Sequence, residues 1–108
     1  MNPNEITGGC NLIVLERLRQ VQEEGWSAEH DDQHGDGELV EAARAYCRAA
    51  NGGYAGQYLR PNSGFAPADW PFERSSWKPG LDPIRNLVKA GALIAAEIDR
   101  LERAGGSG

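Results

Sequence analysis

From Asp82 to Arg103 the chain carries its strongest structural signal. Aspartate stands where a cap accepts the first free N–H groups of a helix, proline follows at the first helical position, and a periodic run comes after it. Ile84, Leu87, Val88, Gly91, Ile94, Ala95, Ile98 and Leu101 recur at helical spacing and form one stripe. A helix of about 20 residues is about 30 Å long, so this segment is the spine of whatever 108 residues can build, and its stripe is expected to be core.

Two further helices are expected. Over 11–24, Val14, Leu15, Leu18 and Val21 repeat every three or four residues, and Gly25 stands where a left-handed cap would end the run. Over 37–50, Asp36 is the expected cap, Glu38 and Glu41 suit the dipole of the first turn, and Asn51-Gly52-Gly53 stops the helix. Its apolar arc is mostly alanine, which permits a close neighbour and argues for a partner surface. The expected architecture is therefore all-α: three main helices (about 11–24, 37–50 and 83–103), one domain over 1–103, a flexible tail over 104–108, and assembly as a homodimer or higher homo-oligomer. A domain this small gains stability from self-association.

Between the second and third helices lie about 30 residues rich in Gly and Pro, holding six of the chain's eight aromatic residues. A structureless loop of that length is unusual in a small domain. An arm that folds back on the helices or on a second subunit is expected, with Trp70-Pro71-Phe72 as its anchor. Composition narrows the functional classes. A net charge of −5 argues against general DNA coating, and no apolar run approaches the roughly 20 residues of a membrane span. Two cysteines without a CxxC pair write neither a disulfide framework nor a zinc cage and suit a reducing cytoplasm, and the opening residues carry no secretory pattern.

The chemistry concentrates between Gln20 and Ala43. That window holds Glu23, Glu24, Glu29, Asp31, Asp32, Asp36, Glu38 and Glu41, both histidines (His30 and His34), and no Lys or Arg. Two carboxylates about 5 Å apart repel by roughly 3 kcal/mol at an effective dielectric near 20. Such a cluster needs solvent, protonation or a cation, and oxygen ligands suit Mg²⁺ or Mn²⁺. A solvated acidic loop and a capping histidine pair are the plainer alternatives. Glu38 projects into the apolar arc of its helix, with Glu41 at the edge, while Glu16, Gln20 and Glu23 share a strip on the first helix. Asn86, Lys89, Leu93, Glu97 and Arg100 form a side of the long helix away from the stripe, where Lys89 and Arg100 answer the acids or hold phosphates.

Glu16-Arg17-x-x-Gln20, then Glu24-Gly25-Trp26-Ser27-x-Glu29-His30-Asp31-Asp32-x-His34, then Gly37-Glu38-Leu39-x-x-Ala42-Ala43-x-x-Tyr46 resemble a group of small bacteriophage and prophage proteins. Trp70-Pro71-Phe72, Trp77-Lys78-Pro79 and the run from Asn86 to Ile98 belong to the same pattern, so the resemblance covers about residues 12–103. That group is similar to the MazG-like all-α nucleoside triphosphate pyrophosphohydrolases, which cut (deoxy)nucleotides between the α and β phosphates with Mg²⁺ held by carboxylates on paired helices. The resemblance implies a protein of the bacterial host's cytoplasm in which Glu38 and Glu41 are catalytic. It implies a metal held by Glu16, Glu38, Glu41, Asp31, Asp32 and His34, and a substrate contacted by Gln20, Trp26, His30, Asn86, Lys89, Glu97, Arg100, Trp70 and Trp77. Glu38-x-x-Glu41 fits the first metal pattern of that superfamily, whereas Asn86-x-x-Lys89 replaces the second by an amide and a cation. The alternatives are a protein that sequesters a host immune signalling nucleotide without turnover, and a protein interaction domain.

Overall fold

A computed structural model describes residues 7–105. Residues 1–6, part of the segment searched for a secretory pattern, and 106–108, the end of the expected tail, lie outside the described residues. Every regular element described is helical: α1 (Gly8–Glu23), α2 (Ala28–Asp32), α3 (Glu38–Ala50), α4 (Gly56–Leu59), a 3₁₀ turn (Arg74–Ser76) and α5 (Pro83–Arg103). The chain is all-α, and no helix described is long and apolar enough to cross a membrane.

The cap on α5 forms as the sequence indicates: the Asp82 carboxylate accepts from the Ile84 N–H at 2.9 Å, with Pro83 opening the helix. The start of α3 differs. Its cap is Gly37, at φ +89°, and Asp36 accepts nothing from the helix; instead the Asp36 N–H donates to Glu38 Oε1 at 2.7 Å. The short α2 is an element that Gly35 and Gly37 argue against in sequence. It forms because Ser27 Oγ accepts from the His30 N–H at 3.2 Å.

The core inverts the expected faces of α5. Leu39, Ala42, Ala43, Ala45, Tyr46 and Ala49 of α3 pack on Ala90, Leu93 and Ala96 of α5, joined by Trp70 and Trp77 from the arm. Alanines on both helices let the axes approach closely, so the small-residue arc of α3 finds its partner inside the chain. Val88 of the expected core stripe is buried, but most of the stripe faces outward: Ile84, Leu87, Ile94, Ile98 and Leu101 are exposed, as are Leu12, Val14, Leu15, Leu18 and Val21 of α1, at 41–62% each. The two exposed rows lie on neighbouring helices, since Ile13 of α1 packs directly on Gly91 of α5.

Residues 51–82 fold onto α3 through aromatic contacts. Trp77 stacks on Tyr46 with ring centroids 4.8 Å apart, and Trp70 meets Tyr46 edge-on at 5.4 Å. Both indole N–H groups are satisfied by backbone, Trp77 donating to Tyr58 O and Trp70 to Glu73 O. Asn86 closes the far end, accepting from the Gly80 N–H at 2.8 Å and donating to its carbonyl at 3.0 Å.

Candidate functional site

The turn between α1 and α2, the α2–α3 connection and the arm meet around a cleft of about 410 Å³ lined by Trp26, His30, His34, Pro71, Phe72, Glu73 and Ser76. Four rings form its wall in a closed circuit. Trp26 lies parallel to His30 at 5.8 Å, His30 meets His34 at 4.8 Å, His34 meets Phe72 at 4.9 Å, and Phe72 returns to Trp26 at 6.3 Å. Each imidazole is held through Nδ1: His30 by Asp31 Oδ1 at 3.0 Å and His34 by Glu38 Oε2 at 3.1 Å. A carboxylate at Nδ1 fixes the proton on that nitrogen and leaves Nε2 for a ligand.

Trp26 and Ser76 also border a second group of side chains: Glu16, Arg19, Gln20, Glu24, Tyr46, Lys78 and Lys89. Glu16 is buried and accepts from Arg19 Nε and Nη2, both at 2.8 Å, and from Arg85 Nη2. Burial alone would raise its carboxyl, but the Arg19 hydrogen bond and the charges of Arg85 and Arg19 more than offset this, and its pKa lies below the ordinary value. Glu24 accepts from Arg19 and Lys78, and the Arg19 bond is the first cause of its lowered pKa. Lys89 donates to the Lys78 carbonyl and lies 5.5 Å from the Tyr46 ring centre. Burial, then the Arg85 charge, pushes Lys89 down to about 8. Burial pushes Tyr46 up to about 12. Four cations (Arg19, Lys78, Arg85, Lys89) stand with three carboxylates (Glu16, Glu23, Glu24), leaving one positive charge in surplus beside the cleft. Gln20 is buried there, with Nε2 on Glu16 and Oε1 without a partner.

The structure brings Trp26, His30 and His34 together at the cleft, with Glu38 behind His34, and places Glu16, Gln20 and Lys89 in the adjoining cluster. Of the remaining expected site residues, Asp31 stands behind His30 and the others are engaged elsewhere. Trp70 and Trp77 lie in the core, Asn86 clamps Gly80, and Glu97 binds Arg100 Nε at 2.6 Å. Asp31 is fully buried against Arg17 at 2.9 Å, Asp32 pairs with Arg103 at 2.9 Å, and Glu41 pairs with Arg44 at 3.2 Å. Six of the eight acids of the window are thus answered, mostly by arginines from outside it, while among the described residues the Glu29 and Asp36 carboxylates have no side-chain partner. Among the described residues no three His, Cys, Asp or Glu side chains gather as a metal-holding group. In this arrangement the carboxylates fit arginine and histidine partners rather than an oxygen cage for Mg²⁺ or Mn²⁺. Phe72, Ser76, Lys78 and Arg85 belong to the site without standing out for it in the sequence; the signal for Phe72 is its place in the Trp-Pro-Phe anchor. Comparison with protein-family models, with curated proteins and with solved structures finds no match.

Proposed function

We propose that this chain binds a nucleotide or a nucleotide-derived phosphorylated small molecule, with the base against Trp26 and Phe72 and the phosphates toward Arg19, Lys78 and Lys89. One observation supports the reading: Trp26 and Ser76 border both the aromatic cleft and the cluster that holds Arg19, Lys78 and Lys89, so cations stand at the edge of the space that would take a base. Stacking supplies roughly 1–3 kcal/mol per base, and charge-assisted hydrogen bonds to phosphate add to it. The test is quenching of tryptophan fluorescence by a panel of ribo- and deoxyribonucleotides, repeated with W26L. Quenching by some member, weakened about 10-fold or more in W26L, supports the reading; a panel that binds nowhere removes it.

A second reading keeps the chemistry implied by the MazG-like resemblance, a nucleoside triphosphate cut between its α and β phosphates. It rests on Glu38 and Glu41 sharing the first turn of α3, Glu41 being exposed with Arg44 as its partner. Among the described residues the carboxylates do not gather as an Mg²⁺ cage. Pyrophosphate release from the panel with Mg²⁺ or Mn²⁺ decides between turnover and sequestration of the ligand.

The outward face of α1 and α5 is the surface of a homodimer. Ile84, Leu87, Gly91, Ile94, Ile98 and Leu101 follow alternating steps of three and four, the spacing of a helix seam that packs against other helices. Ten half-exposed aliphatic side chains present on the order of 500 Å². That is about the apolar share of one side of a standard interface of roughly 800 Å² per partner. A patch of this kind on both helices is self-complementary, as a two-fold interface requires. Light scattering at twice the chain mass supports this assembly, and a monomer at high concentration removes it.

A further inference from the structure

We infer that His30 and His34 form an acid–base pair that cleaves a phosphodiester bond of the ligand in the cleft, an inference that rests on the nucleotide-binding reading above. Both imidazoles line the same cleft with ring centroids 4.8 Å apart, and each spends Nδ1 on its own carboxylate, Asp31 or Glu38. The carboxylates therefore act as positioning residues: they fix the tautomer so that Nε2 is the nitrogen that exchanges protons. Two such nitrogens beside one phosphorus are what displacement at a diester requires, and the phosphorus meant here is the one nearest the base, inside the cleft, with any further phosphates extending toward Arg19, Lys78 and Lys89. One ring takes the proton of the attacking hydroxyl, from water or the ligand's own ribose, as the new P–O bond forms. The other ring gives its Nε2 proton to the leaving oxygen as the old P–O bond breaks. The pair ends with the same number of protons, their places exchanged, and no oxidant or reductant enters. The substrate class follows from the leaving group. An alkoxide needs a proton in order to leave, whereas pyrophosphate leaves as an anion, so a second proton-handling ring suits a phosphodiester.

The experiment uses the whole chain in EDTA with a complete panel of ribo- and deoxyribodinucleoside monophosphates, and separately with thymidine 5′-(p-nitrophenyl phosphate), whose p-nitrophenolate leaves without a proton. Cleavage of some dinucleotide is expected. H30N and H34N are each expected to lower kcat about 100-fold or more while dinucleotide binding, followed by tryptophan fluorescence, changes little. On the p-nitrophenyl ester one of the two variants is expected to retain nearly full activity, which also shows that the variant is folded. Dinucleotides that quench fluorescence but are not cleaved overturn the acid–base pair and leave the binding reading standing. Cleavage that survives both substitutions overturns it as well, and a panel that neither binds nor reacts removes both readings together.

Discussion

Ile13 rests on the bare backbone of Gly91: a Cβ added at residue 91 would stand 2.6 Å from Ile13 Cδ1 and 2.9 Å from its Cγ1. Glycine inside a helix costs about 1 kcal/mol relative to alanine, so this position trades propensity for the approach of α1 to α5. Isoleucine is stiff at χ1 in a helix and cannot simply swing aside. G91A is therefore expected to destabilise the wild-type chain by about 1 kcal/mol and to stabilise an I13A background by a similar amount. Chemical denaturation of the four proteins in a double-mutant cycle measures the coupling, and additive effects would show that the two helices are not held at this point.

The three long helices were legible in the sequence, but the short α2 and α4 were not, and neither was the facing of the long ones. Asp82-Pro83 and the periodic run place α5, because cap chemistry and spacing are local. Which arc of α5 turns inward depends on its partner. Ala90, Leu93 and Ala96 offer little apolar bulk but match the alanines of α3, while the larger Ile and Leu row is left outside. Hydrophobic weight along one helix does not distinguish a core face from an interface face. The site shows the same limit. His30 and His34 stand out by type and spacing, but that Arg17 answers Asp31 and Arg103 answers Asp32 is not local information. Those partners come from 14 residues before Asp31 and 71 residues after Asp32.

That outer row makes a direct prediction. Ile94 is about half exposed in the single chain, so I94E leaves the α3–α5 core untouched and would place two like charges in the proposed two-fold interface. If the proposed dimer forms, the wild type sediments at twice the chain mass and the variant is expected to sediment as a monomer at the same concentration, with helical content unchanged in far-ultraviolet circular dichroism. Loss of helix together with loss of the dimer would instead mark Ile94 as part of the chain's own core.

Glu16 holds two arginines in a buried setting, and removing its charge leaves both facing each other. E16Q is expected to cost about 3 kcal/mol at neutral pH, the range found when one member of a buried pair is removed. The acid response has a definite sign. The folded pKa of Glu16 lies below its ordinary 4.5, so its contribution is fully present above that value and is lost as pH falls through the folded one. Urea titrations below pH 4.5 should show a steeper loss of stability in the wild type than in E16Q, and parallel curves would show that the carboxylate is not the group being titrated.

Lys89 titrates near the pH of ordinary assays, which makes it a reporter of phosphate binding. Its folded pKa of about 8 lies below the ordinary 10.5, so between these values the unfolded chain binds a proton that the folded chain does not, and stability rises with pH across that interval. K89M lacks this dependence and should be more stable at pH 7 by about 1 kcal/mol, after discounting for partial exposure. An anion bound beside Lys89 favours its charged form, so nucleotide binding at pH 8 is expected to take up protons. Calorimetry in two buffers of different ionisation enthalpy reads that uptake directly. It should vanish in K89M, with affinity weaker by about 10-fold; uptake that persists in the variant would assign the proton to another group and move the phosphate site away from Lys89.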